Sequence, residues 1–299
     1  MINKKNKILL LFYCLLFLLI VISCNETLEI DIPDFSEKLV VESFLVNTSN
    51  RIFLKLSKTV SPYKKLSWYD TTLLVHNAQV KVKLDNNEYN MIEDTISSVY
   101  YNGYIYKIFR KTGEYYINNV NLLNVNKCEL NIDYKNNHVN CIEYFPDIVQ
   151  IDSIQTTLYQ KKLSNWSNPI NYLKIKIFAN FPKNQKSFYR ICLVSNYGSL
   201  DYEFENIETD YFIHLSNENY EIIDLKLKYE NLEYYLKRTR VYLDHITENH
   251  YNFMKAKKNQ EEDVDNPFGS EGIQIPTNIT NGLGIFTCIA RDTICINIK

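Results

Sequence analysis

From Leu39 almost to the C-terminus, apolar and polar residues alternate with a period of two. Strands put successive side chains on opposite faces, whereas a helical face recurs every 3.6 residues, so this pattern commits the chain to half-buried strands. Leu39, Val41 and Ser43 share one face, and Ile52, Leu54 and Leu56 share another, with Phe53 and Lys55 opposite. Val80, Val82 and Leu84, separated by Lys81 and Lys83, run into Asp85-Asn86-Asn87, which predicts a turn and a returning strand through Glu88 to Met91. Gly113-Glu114-Tyr115-Tyr116-Ile117 and Cys128-Glu129-Leu130-Asn131-Ile132 continue the series, and Asn136-Asn137 supplies residues that tolerate positive φ in the next turn. The chain carries 24 Tyr and 15 Phe, residues that fit a pleated surface, and this reinforces an all-β, mainly antiparallel expectation.

The pattern breaks near residues 146–153 and restarts with Leu173, Ile175 and Ile177, then Tyr189, Ile191 and Leu193, then Tyr211, Ile213 and Leu215, then Val241 and Leu243. That break predicts two β-sandwich-like domains, residues 37–148 and 149–299. A hydrophobic fraction of 45% with only 7 Gly and 7 Pro is enough to build packed cores against the entropy of ordering the chain. One helix is expected in the second domain, from 247 to about 260. Thr247 serves as its N-cap, Tyr251 and Met254 share a face, and Lys255, Lys257 and Lys258 lie near its carbonyl end. The acidic stretch 261–265 and Pro267 are expected to stop it.

The first 23 residues read as a signal peptide. Lys4, Lys5 and Lys7 precede an apolar run over residues 8–22, too short to span hydrocarbon comfortably. Val21-Ile22-Ser23-Cys24 resembles the lipobox of bacterial lipoproteins, which implies lipidation of Cys24 and a tether over residues 24–36. Several acyl chains on one residue hold a protein on a membrane far more firmly than one chain does. The expected location is therefore the outer membrane, with membrane lipid as a partner through Cys24. Only Glu26 and Glu29 follow the cysteine as acids, so the choice between periplasmic and cell-surface faces stays open.

Several short motifs occur in a suggestive order. Lys38-Leu39-Val40-Val41-Glu42 follows the tether, Ala78-Gln79-Val80 leads a strand, and Phe178 with Phe188-Tyr189-Arg190 opens the second half. Asn266-Pro267-Phe268, Pro276-Thr277-Asn278-Ile279 and Asn281-Gly282-Leu283-Gly284-Ile285-Phe286 close the chain. Together they resemble a Bacteroidota outer-membrane lipoprotein family catalogued as domain of unknown function 4249, over nearly the whole mature chain. Asn77 stands where that family often has glycine. The resemblance implies an accessory to an outer-membrane TonB-dependent transporter barrel and carries no catalytic residues.

Searching the residues for chemistry yields little. Among the cysteines beyond Cys24, no pair has zinc-ribbon spacing. If Arg291-Asp292 forms a two-residue hairpin loop, Cys288 lies opposite Cys295, and a disulfide between them stands as an alternative to two free thiols. A turn centred on Asn136-Asn137 sets Cys128 four residues out of register with Cys141, against a bridge there. Cys192, between Ile191 and Leu193, reads as a small buried hydrophobe. His245 and His250 do not share a helical face and lack a zincin glutamate, so no metal is expected. Asp263, Asp265 and Asn266 lack the glycine and distal glutamate of a calcium loop. Gly269-Ser270-Glu271-Gly272 is one residue short of a nucleophile elbow. The aromatic group Tyr100, Tyr101, Tyr104, Tyr106 and Phe109, with Trp68 and Trp166, offers either a stacking surface or ordinary strand composition. A net charge of −2 with scattered lysines gives no phosphate-binding face, so nucleic acid is not an expected partner. No cofactor is expected. The expectation is a non-enzymatic binding or accessory module, with a structural or adhesive envelope protein as the alternative.

Overall fold

The computed structural model describes residues 36–61, 73–94, 96–101, 104–109, 113–161, 170–183, 186–195, 205–214, 220–226, 239–263 and 274–295. The residues read above as a signal peptide and tether lie outside the described residues up to position 35, Cys24 included, as do Trp68, Trp166 and residues 264–273. So do the side chains of Tyr100, Tyr101, Tyr104, Tyr106 and Phe109.

Seventeen strands and one helix follow one another in the described residues. The first ten strands are β1 Leu39–Val46, β2 Arg51–Lys58, β3 Gln79–Leu84, β4 Asn87–Asn90, β5 Ile92–Glu93, β6 Ile96–Tyr101, β7 Tyr104–Phe109, β8 Glu114–Asn118, β9 Lys127–Tyr134 and β10 Asn137–Tyr144. Then come β11 Ile151–Lys161, β12 Ile170–Ala179, β13 Ser187–Ser195, β14 Glu205–His214, β15 Tyr220–Lys226, β16 Thr239–Ile246, helix α1 Glu248–Asp263 and β17 Leu283–Cys295.

The all-β expectation holds, and the packing is sandwich-like. The largest sheet has eight strands in the order β14-β13-β16-β17-β1-β2-β8-β5. Against one of its faces pack two smaller sheets, β10-β9-β3-β4 and β11-β12-β15, while β6 and β7 form a separate hairpin. Each inter-sheet space is filled by the inward half of the alternation. Leu39, Val41, Leu45, Ile52, Leu54 and Leu56 meet Val80, Val82, Leu84, Leu130 and Ile132 in the first core. Tyr189, Ile191, Val241 and Leu243 meet Ile175, Ile177 and Ala179 in the second. Each such side chain, fully buried, contributes on the order of 1.5–3 kcal/mol.

The two cores divide close to residue 148, in the connection between β10 and β11, yet one sheet runs behind both. The strand that joins them is β17. It pairs in parallel with β1, Val40 opposite Leu283 through Val46 opposite Ile289. On its other side it pairs antiparallel with β16, Ile246 opposite Ile289 through Arg240 opposite Cys295. The close approach to β1 requires glycine: Gly284 sits at φ +97, and a Cβ there would lie 1.9 Å from the Val41 carbonyl oxygen.

β17 runs without interruption through Arg291 and Asp292, so the hairpin expected there does not form. Asp292 instead accepts a hydrogen bond from the Ile151 backbone N–H at 2.7 Å, pinning the start of β11 to this strand. The turn after β9 also differs from expectation. Tyr134 pairs with Asn137, so the loop residues are Lys135 and Asn136, with Lys135 at φ 54. Asn77 has φ 59, a left-handed conformation that asparagine tolerates better than most residues other than glycine.

Helix α1 starts as expected: the His250 backbone N–H donates to Thr247 Oγ1 at 3.3 Å, a capping bond to the third helical residue. It ends later than expected, because Glu261, Glu262 and Asp263 continue the helix rather than stopping it. Glutamate is a good helix former. The helix buries His250 and Phe253 against the face of the eight-stranded sheet that carries Phe44, Val46, Phe188, Ile246 and Ile289.

Candidate functional site

The outward face of the sheet end formed by β2, β8 and β5 departs from the alternation rule. Inward Ile52, Leu54 and Leu56 leave Arg51, Phe53 and Lys55 facing solvent. Phe53 aligns with Tyr116 on β8, and Tyr116 aligns with Ile92 on β5. An apolar row thus crosses three adjacent strands, about 10 Å wide at the usual strand spacing. Phe53 is 40% exposed and Ile92 63%. The Arg51 guanidinium covers one flank, 4.6 Å from the Tyr116 ring centre and 5.9 Å from that of Phe53. Its charge is steered by Asp94 at 3.8 Å. Such a surface offers flat rings and a cation, which suit packing and stacking rather than bond making.

A second outward apolar set lies on β10, an edge strand of its sheet. Ile142 and Tyr144 are 54% and 57% exposed, while Glu143 between them points into the molecule. This inversion has a local cause. Asn278 Nδ2 donates to Glu143 Oε2 at 2.8 Å, and Asn249 Nδ2 lies 3.5 Å from the same oxygen. The Asn278 amide also imitates a strand partner for Phe286, accepting from its N–H at 3.1 Å and donating to its carbonyl at 2.7 Å. Burial raises the Glu143 carboxyl above the usual range, against the lowering effect of its hydrogen bonds to Asn249, Tyr144 and Asn278. The hub ties β10, β17 and α1 together. That gives the Pro276-Thr277-Asn278-Ile279 motif a structural role.

Beneath α1, three neighbouring strands bring Arg190, Asp244 and Arg291 into one cross-strand row. Asp244 is fully buried and accepts from Arg291 Nε at 2.6 Å, from Arg291 Nη2 at 2.9 Å and from Arg190 Nε at 2.9 Å. Arg190 Nη2 forms a further short contact with the same carboxylate. Burial pushes this carboxyl up, but the bonds and charges of the two arginines outweigh it and hold it below its ordinary value. Arg291 also lies over the Tyr242 ring at 4.4 Å. The row is a charge-paired strut in which both arginines are anchored on the carboxylate.

Residues 25–294 match the family described as "Domain of unknown function (DUF4249)". The chain belongs to this family. No curated protein matches the sequence. Two solved structures of Salmonella alpha-2-macroglobulin align with it, one a point mutant and one reacted with methylamine, at 10% and 11% identity. Their TM-scores are 0.24 and 0.19 over 75% and 72% of this chain, values too low to transfer fold or activity. The chain spans 14% of the length of each.

Within this DUF4249 member, the residues singled out from the sequence fall as follows. Cys288 and Cys295 both lie on the one continuous strand β17, so the expected pairing across a hairpin cannot form. Seven residues of extended strand separate them by about 23 Å, against the 7 Å or less that a disulfide spans between Cα atoms. The register of β9 and β10 sets Glu143 opposite Cys128 and Leu130 opposite Cys141, so these two cysteines are two residues out of register rather than four. Cys192 is buried, and desolvation raises its thiol. His245 belongs to β16, where its ring stacks on Tyr189 at 4.8 Å and its Nδ1 meets the Asp147 carbonyl at 2.7 Å. His250 is on α1, over the other face of the sheet. Among the described residues no group of three or more His, Cys, Asp or Glu is arranged to hold a metal ion.

The outward row of Phe53, Tyr116 and Ile92 was foreshadowed only by Phe53, an aromatic on the solvent side of an otherwise well-phased strand. Its partners come from β8 and β5, whose alignment the sequence does not disclose.

Proposed function

We propose that this protein is a lipid-anchored, non-enzymatic accessory module of the outer membrane, held through Cys24 and docked by the Phe53–Tyr116–Ile92 row against a TonB-dependent transporter. The observation that carries the reading is that row: three aligned apolar side chains on the solvent face of a sheet, flanked by a cation. Exposed apolar residues are ordinary singly; aligned across adjacent strands beside an aromatic-bound arginine, they have the composition of an interface core, where aromatic residues and Arg are enriched. The lipobox and the basic-then-apolar leader support the membrane address, and an anchored module meets its partner at high effective concentration.

The test is affinity recovery of the lipidated protein from native outer membrane in mild detergent, with Cys24→Ala as the unanchored control. Stoichiometric recovery of a transporter barrel is the expected result. Recovery of the membrane-bound protein alone overturns the accessory reading and leaves a free-standing structural or adhesive role.

A further inference from the structure

We propose that Cys128 and Cys288 form a disulfide in the exported protein, cross-linking the two sheets of the first core. This rests on the envelope location proposed above. Cys128 stands on the inward face of β9 in phase with Leu130 and Ile132, and Cys288 on the inward face of β17 in phase with Phe286. Both are completely buried in the same core, and the Cys128 side chain is close enough to act on the Cys288 thiol. Cys141 is near enough to raise the Cys288 thiol further, but it sits on β10 opposite Leu130, diagonal to Cys128, with its own thiol directed to the Ile142 backbone. Cys192 lies on β13 outside this core, and Cys295 is exposed at the end of β17. Among the five described cysteines, Cys128 is the one whose side chain acts most strongly on Cys288 from the opposing sheet.

The chemistry is thiol–disulfide exchange with an oxidised dithiol carrier, the class of oxidant that an exporting envelope supplies. One protein thiolate attacks a carrier sulfur, forming a mixed disulfide and releasing the carrier's other thiolate. The second protein thiolate then displaces the remaining carrier sulfur. The protein gives up two protons and two electrons, and the carrier leaves as a dithiol. Burial pushes the Cys288 thiol well up, and neither sulfur reaches solvent once the sheets close, so the exchange belongs to folding rather than to the finished molecule.

Two preparations of the full chain decide this: lipoprotein purified from cell envelope under alkylating, reductant-free conditions, and chain refolded in a glutathione redox buffer. Each is denatured, alkylated, digested and analysed by mass spectrometry. The expected result is a linked Cys128–Cys288 peptide in both, with Cys141, Cys192 and Cys295 alkylated. Cys288→Ser should abolish the link and leave Cys128 alkylated, while Cys295→Ser should leave it intact. A link in the refolded chain but not in the envelope protein overturns the proposal through its dependence on export. No link in either, or one through Cys141, overturns it on geometry.

Discussion

Three buried ionisable side chains set how this molecule should respond to substitution and pH. Asp244 is the counter-charge for two arginines, so Asp244→Asn leaves uncompensated positive charge under α1 and should cost about 3 to 5 kcal/mol, read as a lower urea midpoint. Its folded pKa is depressed, so its contribution is present above the ordinary carboxylate range and is lost as pH falls through the folded value. Glu143 runs the other way. Its raised pKa means that the folded state holds the proton more tightly, so stability falls as pH rises through the folded value. Glu143→Gln should therefore gain on the parent more at pH 7 than at pH 4; equal differences at both would contradict the burial argument. His250 is pushed down to about 3, chiefly by burial and further by the Arg190 charge. Between about 6.5 and that value the unfolded chain takes a proton that the folded one refuses, which removes about 1.4 kcal/mol per pH unit. In His250→Leu this part of the acid sensitivity should disappear from a pH series of denaturant midpoints.

At the scale of elements, what period-two patterning can express was legible and what long-range pairing decides was not. Leu39, Val41 and Ser43 on one side of β1, and Ile52, Leu54 and Leu56 on one side of β2, were placed from alternation alone, and the cap of α1 from the residue type of Thr247. The turn after β9 fell one residue early because inward packing of Cys128, Leu130 and Ile132 against Val139 and Cys141 fixes the register, and Lys135 accepts the positive φ that Asn136 or Asn137 was expected to take. From the sequence, Arg291-Asp292 is a candidate two-residue hairpin loop between Cys288 and Cys295. Instead Arg291 answers Asp244, and Asp292 answers the Ile151 amide, so both charges are satisfied within a strand. The exposed row was half legible: Phe53 broke its strand's polar face, while Tyr116 and Ile92 joined it only through pairing. Gly284 carries the parallel pairing of β1 and β17. Gly284→Ala meets both a left-handed φ and the Val41 carbonyl, and should abolish soluble folded protein, whereas Thr247→Ala should cost only about 1 kcal/mol.

For the whole molecule, the decisive feature is that the last strand is the one both cores share. Two sandwich-like cores form from largely separate stretches of chain, yet each leans on a sheet that is continuous only when β17 lies between β1 and β16. Ending the chain after Gly282 should therefore expose both cores to limited proteolysis, not the second alone; survival of residues 37–148 as a resistant fragment would contradict this. One welded body carried on a lipid tether would present the Phe53–Tyr116–Ile92 row as a fixed surface, which costs less ordering entropy on docking than a mobile one. The most direct test is the amount of transporter barrel recovered with the parent and with a Phe53→Glu/Ile92→Glu variant from native outer membrane. Both positions are solvent-facing, so the variant should stay folded and membrane-bound, and recovery of the barrel should fall at least tenfold. Undiminished recovery with the variant would show that the partner is held elsewhere and would contradict the docking surface assigned to this protein.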